Sequence, residues 1–196
     1  MVILRSKLEA HIFLIIFFCS SISCFGQVVN FRKDKYWLEA GLGGYSSIDS
    51  VGGISYSLSA NLNSNSVTYK IRYLKHVEYS FLKPRPAESY HCIAMLIGKG
   101  YDGKAFHIYF SAGVGMIAGV RRGRFLYTVP SAGWFDLSDG RAYEKEHFHV
   151  FSIPLEVDLK FKPLEFAALG FTLFGELNMK RPMFGLEMTV GVGKLR

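Results

Sequence analysis

Eight ionisable residues stand out for their position within alternating segments: Glu39, Lys70, Arg72, Glu156, Asp158, Lys160, Glu176 and Glu187. Each falls on the polar parity of a run whose other parity is large and apolar. Charges held together in a shielded space can do one of two things. They neutralise one another in a structural plug, or they relay ions as the charged groups of membrane transporters do. An unpaired buried charge costs several kcal/mol, so the set is expected to meet as one network. Counting along the strands puts Arg72 at the depth of Glu156 and Glu187, and the plug is the simpler assignment.

Two further groups carry possible chemistry. Arg121, Arg122 and Arg124 cluster at the end of an apolar run, and guanidinium forks match phosphate geometry. The alternative is ordinary rim anchoring by snorkelling side chains. His147 and His149 share a strand face, with Ser152 nearby and Ser131 and Asp136 upstream. A nucleophile, base and acid are therefore present in composition, although only geometry decides whether they meet. As a metal site the two histidines lack a third ligand in register. Trp134 and Phe135 suit an interface anchor as well as a ligand grip. The glycine runs 41–44 and 113–115 lie inside strand patterns with no helix following, which excludes a phosphate loop.

The elements that position these residues are strands. Period-two alternation predicts eight of them: 36–45, 54–62, 67–73, 91–99, 106–120, 153–160, 167–176 and 184–192. The last is the clearest, with Phe184, Leu186, Met188, Val190 and Val192 against Gly185, Glu187, Thr189 and Gly191. The fourth is apolar on both parities, so its orientation stays open. The second, fourth and sixth links are tight, around Asn63-Ser64-Asn65, Tyr101-Asp102-Gly103 and Lys162-Pro163-Leu164. Two odd links are long, 80–88 and 122–146.

Tight turns on one side and long loops on the other are the pattern of an outer-membrane barrel. The polar parity is mostly Gly, Ser, Thr and Ala. That is a poor coat for water, as a soluble lipocalin-like barrel would need, but a good filling for a narrow lumen. The fold expected is all-β: an eight-stranded antiparallel up-and-down transmembrane barrel.

The N-terminus fits export. Arg5 and Lys7 precede the apolar run 12–18 and the small residues 20–26, the order of a signal peptide. Cleavage after Gly26 is expected, leaving a barrel domain at 27–196. Lipidation at Cys24 is the rival, with Ser21 standing where an aliphatic residue belongs. Removing residues 1–26 leaves Cys92 as the sole cysteine, so no internal disulfide is possible. The net charge of +7 falls to +6 without Arg5, Lys7 and Glu9. In an exported chain such charge points to lipid or lipopolysaccharide phosphates and away from nucleic acid.

The segments Tyr36-Trp37-Leu38-Glu39-Ala40-Gly41-Leu42-Gly43-Gly44 and Ile153-Pro154-Leu155-Glu156, with the ending Val192-Gly193-Lys194-Leu195-Arg196, carry a resemblance. On these residues the chain resembles a family of small, uncharacterised outer-membrane barrels of Bacteroidetes-type bacteria. The resemblance implies a barrel similar to the OmpA and OmpX transmembrane domains and implies no activity. The chain departs from the usual terminal aromatic.

Three roles follow as expectations. The first is an envelope or surface-interaction protein whose outer loops meet lipopolysaccharide or an unknown extracellular ligand. The others are a lipid A-modifying enzyme with histidine at the outer rim, and a narrow pore or transporter. The expected partners are outer-membrane lipid, lipopolysaccharide and, during biogenesis, the barrel-insertion machinery; no cofactor or metal is called for.

Overall fold

The computed structural model describes residues 34–49, 51–79, 86–128 and 141–195. The expected signal segment, Cys24, Ser131, Trp134, Phe135 and Asp136 lie outside the described residues. Residues Lys35–Arg196 form one compact unit. Its strands are β1 (Lys35–Ser47), β2 (Gly52–Ser64), β3 (Val67–Glu78), β4 (Ser89–Asp102), β5 (Phe106–Thr128), β6 (Arg141–Phe161), β7 (Ala167–Leu177) and β8 (Met183–Lys194). Each pairs antiparallel with its chain neighbour, and β1 also pairs with β8 from Tyr36↔Lys194 to Ser47↔Met183. The ring is closed, and the barrel wall has no free sheet edge to expose to lipid.

Alternation decides the two faces. Leu38, Leu58, Ile71, Phe110, Phe171 and Met188 are all exposed on the outside. Glu39, Ser59, Lys70, Ser111, Thr172 and Glu187 on the other parity are buried in the lumen. A water-soluble barrel would reverse this arrangement, so the aliphatic wall is a lipid-facing surface. The open orientation of β4 is resolved: Ile93, Met95 and Ile97 point out, while Tyr90, Cys92, Ala94 and Leu96 point in. No helix among the described residues is long and apolar enough to cross a membrane.

The tight links gather at the end that holds the barrel's termini, the periplasmic end in such folds. The β2–β3 link is a two-residue turn, with Asn65 at φ 51° and Ser66 at φ 66°. Positive φ at both central residues makes the primed turn whose twist suits a hairpin, and Asn accepts it at low cost.

One expectation requires correction. Within the stretch 122–146, read as a loop, the described residues are strand: β5 runs to Thr128 and β6 begins at Arg141. Register shifts fall between Arg122 and Phe125 and between Phe125 and Tyr127. Both faces of this ribbon meet water, which removes the amphipathic alternation by which a strand is recognised. β5 pairs with β4 only as far as Val120, and β6 pairs with β7 only from Ile153. Above those points the two strands pair with each other, and among the described residues no third strand joins them.

The lipid-facing assignment predicts depth-dependent costs. Met188→Arg, in the middle of β8, should destabilise the barrel by about 2–4 kcal/mol, and Phe184→Arg, near the outer rim, by about 0–1 kcal/mol. Urea unfolding in lipid vesicles, followed by tryptophan fluorescence, measures both.

Candidate functional site

The lumen is stacked in layers from the periplasmic end upward. At that end Asp102 receives Lys35 at 2.5 Å and also Lys162. His107 lies 3.4 Å from the same carboxylate and packs on Tyr109, with ring centres 3.9 Å apart. Asn63 donates to the Tyr109 hydroxyl and to Thr68. Trp37 closes this layer, sharing a small apolar cluster with Ala168 and Leu195.

Above it runs a ladder of alternating charge. Glu39 pairs with Lys160, which lies 3.3 Å from Asp158. Asp158 pairs with Lys70 at 2.8 Å, and Lys70 also holds Glu156 at 2.6 Å. Arg72 then bridges Glu156 and Glu176. Seven of the eight charges read from parity are thus joined in one unbroken chain across the lumen. Neutral groups tie it to the wall: Trp37 Nε1 donates to Glu39 at 3.3 Å, and Thr172 Oγ1 to Asp158 at 2.5 Å. Alternating sign is what makes such burial tolerable, because the lost hydration of each ion between the two ends is offset by two opposite neighbours.

Glu187 departs from the expectation. Arg72 takes Glu156 and Glu176, and Glu187 instead accepts a hydrogen bond from Ser57 at 2.5 Å. The reason is local space. A Cβ at Gly41 would lie 2.5 Å from Ser57 Oγ and 2.7 Å from Glu187 Oε2. The bare glycine opens a slot through which the Glu187 side chain crosses β1 to reach β2.

Over the ladder lies an apolar and aromatic layer. Tyr45, Leu74, Tyr90, Cys92, Ile117, Phe148, Phe174 and Met183 form one buried cluster. His76 sits between Tyr45 and Phe174, at 4.4 and 5.5 Å between ring centres. The Arg72 guanidinium lies 5.9 Å from the Phe174 ring, joining ladder to cluster.

A second ionic group, unforeseen from sequence, caps the outer mouth. Arg122 donates its backbone N–H to Glu88 at 3.0 Å and its guanidinium to Glu78. Arg181, from the β7–β8 turn, reaches Glu88, the Tyr90 hydroxyl at 2.6 Å and Asp49 at 3.1 Å. Glu78 was legible in principle, because it continues the inward parity Lys70, Arg72, Leu74, His76 of β3. Glu88 and Arg181 sit in links, where no periodicity marks them.

The three rim arginines separate. Arg121 makes a two-pronged contact with Glu146, at 3.0 and 2.8 Å, and its hydrogen bonds hold the Glu146 carboxyl below the usual range. Arg122 turns inward to the mouth, and Arg124 is exposed on the ribbon. His147 and His149 face outward, whereas Ser152 is buried in the lumen with its hydroxyl 4.0 Å from Cys92 Sγ. Opposite parity on one strand prevents these histidines from activating that serine. Among the described residues no group of three or more His, Cys, Asp or Glu is placed to hold a metal ion.

Removing a single member of the ladder should expose its logic. Arg72→Met leaves Glu156 and Glu176 without their shared cation and should cost about 3–5 kcal/mol. Adding Glu176→Gln should recover more of that loss than adding Glu187→Gln. A double-mutant cycle in urea reads the difference.

No protein-family model matches the chain, and no curated sequence matches it. Solved structures do. The fold is similar to Neisserial surface protein A (TM-score 0.58, 12% identity, covering 81% of this chain and 96% of that one). It is similar to the N-terminal β-barrel domain of Pseudomonas aeruginosa OprF (TM-score 0.54, 13% identity, 82% and 99%). It is also similar to Ail, the attachment invasion locus protein of Yersinia pestis (TM-score 0.51, 9% identity, 82% and 96%). At these identities the likeness is one of fold: an eight-stranded outer-membrane β-barrel.

Proposed function

We propose that this outer-membrane barrel works as a surface-interaction protein of the envelope, through its outer face and not through its lumen. The observation that carries the reading is the contrast between the two. The lumen is filled in layers by the ladder, the aromatic cluster and the Arg122–Arg181 cap. The β5–β6 ribbon stands beyond the rim with Phe125, Leu126 and Tyr127 exposed, past the points where β4 and β7 stop pairing with it. Exposed aromatics suit contact with a partner, since they lose little rotamer freedom on binding. In this reading residues 1–26 direct export, the insertion machinery delivers the chain, and the ladder serves as a structural plug. The interaction has two sides: an extracellular ligand at the ribbon, and the lipopolysaccharide layer through which the ribbon passes.

Site-directed labelling tests the orientation this requires. With Cys92 buried, Leu126→Cys should react with a membrane-impermeant maleimide on intact cells. Lys104→Cys, in the tight β4–β5 link, should react only after the outer membrane is permeabilised. The reverse pattern would overturn the reading. The wild-type barrel should show no unitary conductance in a planar bilayer, and stable channels would select the pore alternative.

A further inference from the structure

The outward face of the barrel wall is unequal around its circumference. Among the described residues it bears no Asp or Glu below the ribbon. Its lysines and histidines at the outer end lie on β3, β4 and β6, and Lys99 and Lys194 lie at the opposite end. Register places three of them in a single cross-strand row: Tyr56↔Lys75, Lys75↔His91, His91↔Ala118, Ala118↔His149. Strands lie about 4.8 Å apart, so His91 and His149 stand about 10 Å from each other across the small Ala118.

The row is assembled as well as aligned. Lys75 Nζ lies 5.7 Å from the centre of the Tyr56 ring, which steadies the ammonium on an aromatic platform. The Tyr73 hydroxyl meets His91 Nδ1 at 2.6 Å. With that hydroxyl donating to Nδ1, the ring carries its hydrogen on Nε2, a donor that needs no extra proton. The acids at this height, Glu78 and Glu88, are turned inward and engaged by Arg122 and Arg181. Among the described residues no acid on the outward face neutralises the row, whereas Arg121 already holds Glu146.

We infer that Lys75, His91 and His149 form a seat for a phosphate of an outer-leaflet glycolipid of the lipid A type. Lys75 supplies the charge and the two imidazoles flank the group, with Ala118 as the floor. The occupant follows from depth and sign: the row faces lipid at the outer rim, where an anionic headgroup is the available counter-ion. The seat rests on the reading of the outer face as the working surface, and it moves the expected phosphate contact from the arginine cluster onto the wall.

The test uses the full barrel refolded in phosphatidylcholine vesicles containing bisphosphorylated lipid A, dephosphorylated lipid A or phosphatidylglycerol. The readout is the temperature at which the fast-migrating folded band is lost on a gel. Bisphosphorylated lipid A should raise that temperature more than either of the other two. The combined variant K75M/H91F/H149F should lose most of the rise, K75R should keep it, and R121Q/R124Q should keep it. All five substituted positions of the wall and ribbon lie outside the lumen, and the folded band itself reports whether each variant forms a barrel.

A rise retained by the triple variant, or lost in the arginine variant, would overturn the seat. An equal rise with phosphatidylglycerol would overturn the glycolipid assignment. None of these outcomes alters the cysteine-labelling pattern, so failure of the seat is distinguishable from failure of the surface reading.

Discussion

Lipid as a solvent is the constraint on which the structure depends. Hydrocarbon offers no hydrogen-bond partners, so every backbone donor and acceptor of the wall has to be satisfied by another strand. The β1–β8 pairing, twelve positions from Tyr36↔Lys194 to Ser47↔Met183, removes the two edges that an open sheet would leave. Once the ring is closed, side-chain placement follows from parity alone. Leu38 and Leu42 must face out, and Glu39 between them must face in. The lumen receives whatever the lipid face cannot carry.

That leaves a narrow interior with a charge problem, which the ladder resolves by alternation of sign. Lys70 and Arg72 each hold two carboxylates, and Lys160 lies against both Glu39 and Asp158. Four of the eight strands contribute to it, β1, β3, β6 and β7, while Glu187 of β8 stands apart on Ser57. Contacts between residues so distant in sequence link opposite walls, adding a second, transverse set of restraints to the hydrogen-bonded ring. The aromatic cluster above does the same with dispersion in place of charge.

Much of this was legible in the sequence, and for a physical reason. A wall wetted by lipid on one side and packed on the other writes a period of two, which located all eight strands and the parity of each ladder residue. The pairing partners were not legible. Which charge meets which depends on strand tilt and stagger, and on absences such as the missing side chain at Gly41 that lets Glu187 reach Ser57. The ribbon was read as a loop because Phe125, Leu126 and Tyr127 are all exposed, so no buried parity repeats. The fourth strand showed the opposite difficulty: Cys92, Ala94 and Leu96 face the apolar cluster of the lumen, so both parities of the strand are apolar.

The ribbon also bears on how the barrel stays where it is put. Its described residues from Arg121 to Lys145 include Arg121, Arg122, Arg124, Arg141 and Lys145. All of them must cross the bilayer once, during assembly, to reach the outer side. Drawing them back would return five cations through hydrocarbon, each opposed by about 2–4 kcal/mol at the midplane. The ribbon therefore acts as a barb: assembly is directional, and the finished barrel holds its orientation against reversal for as long as the membrane is intact.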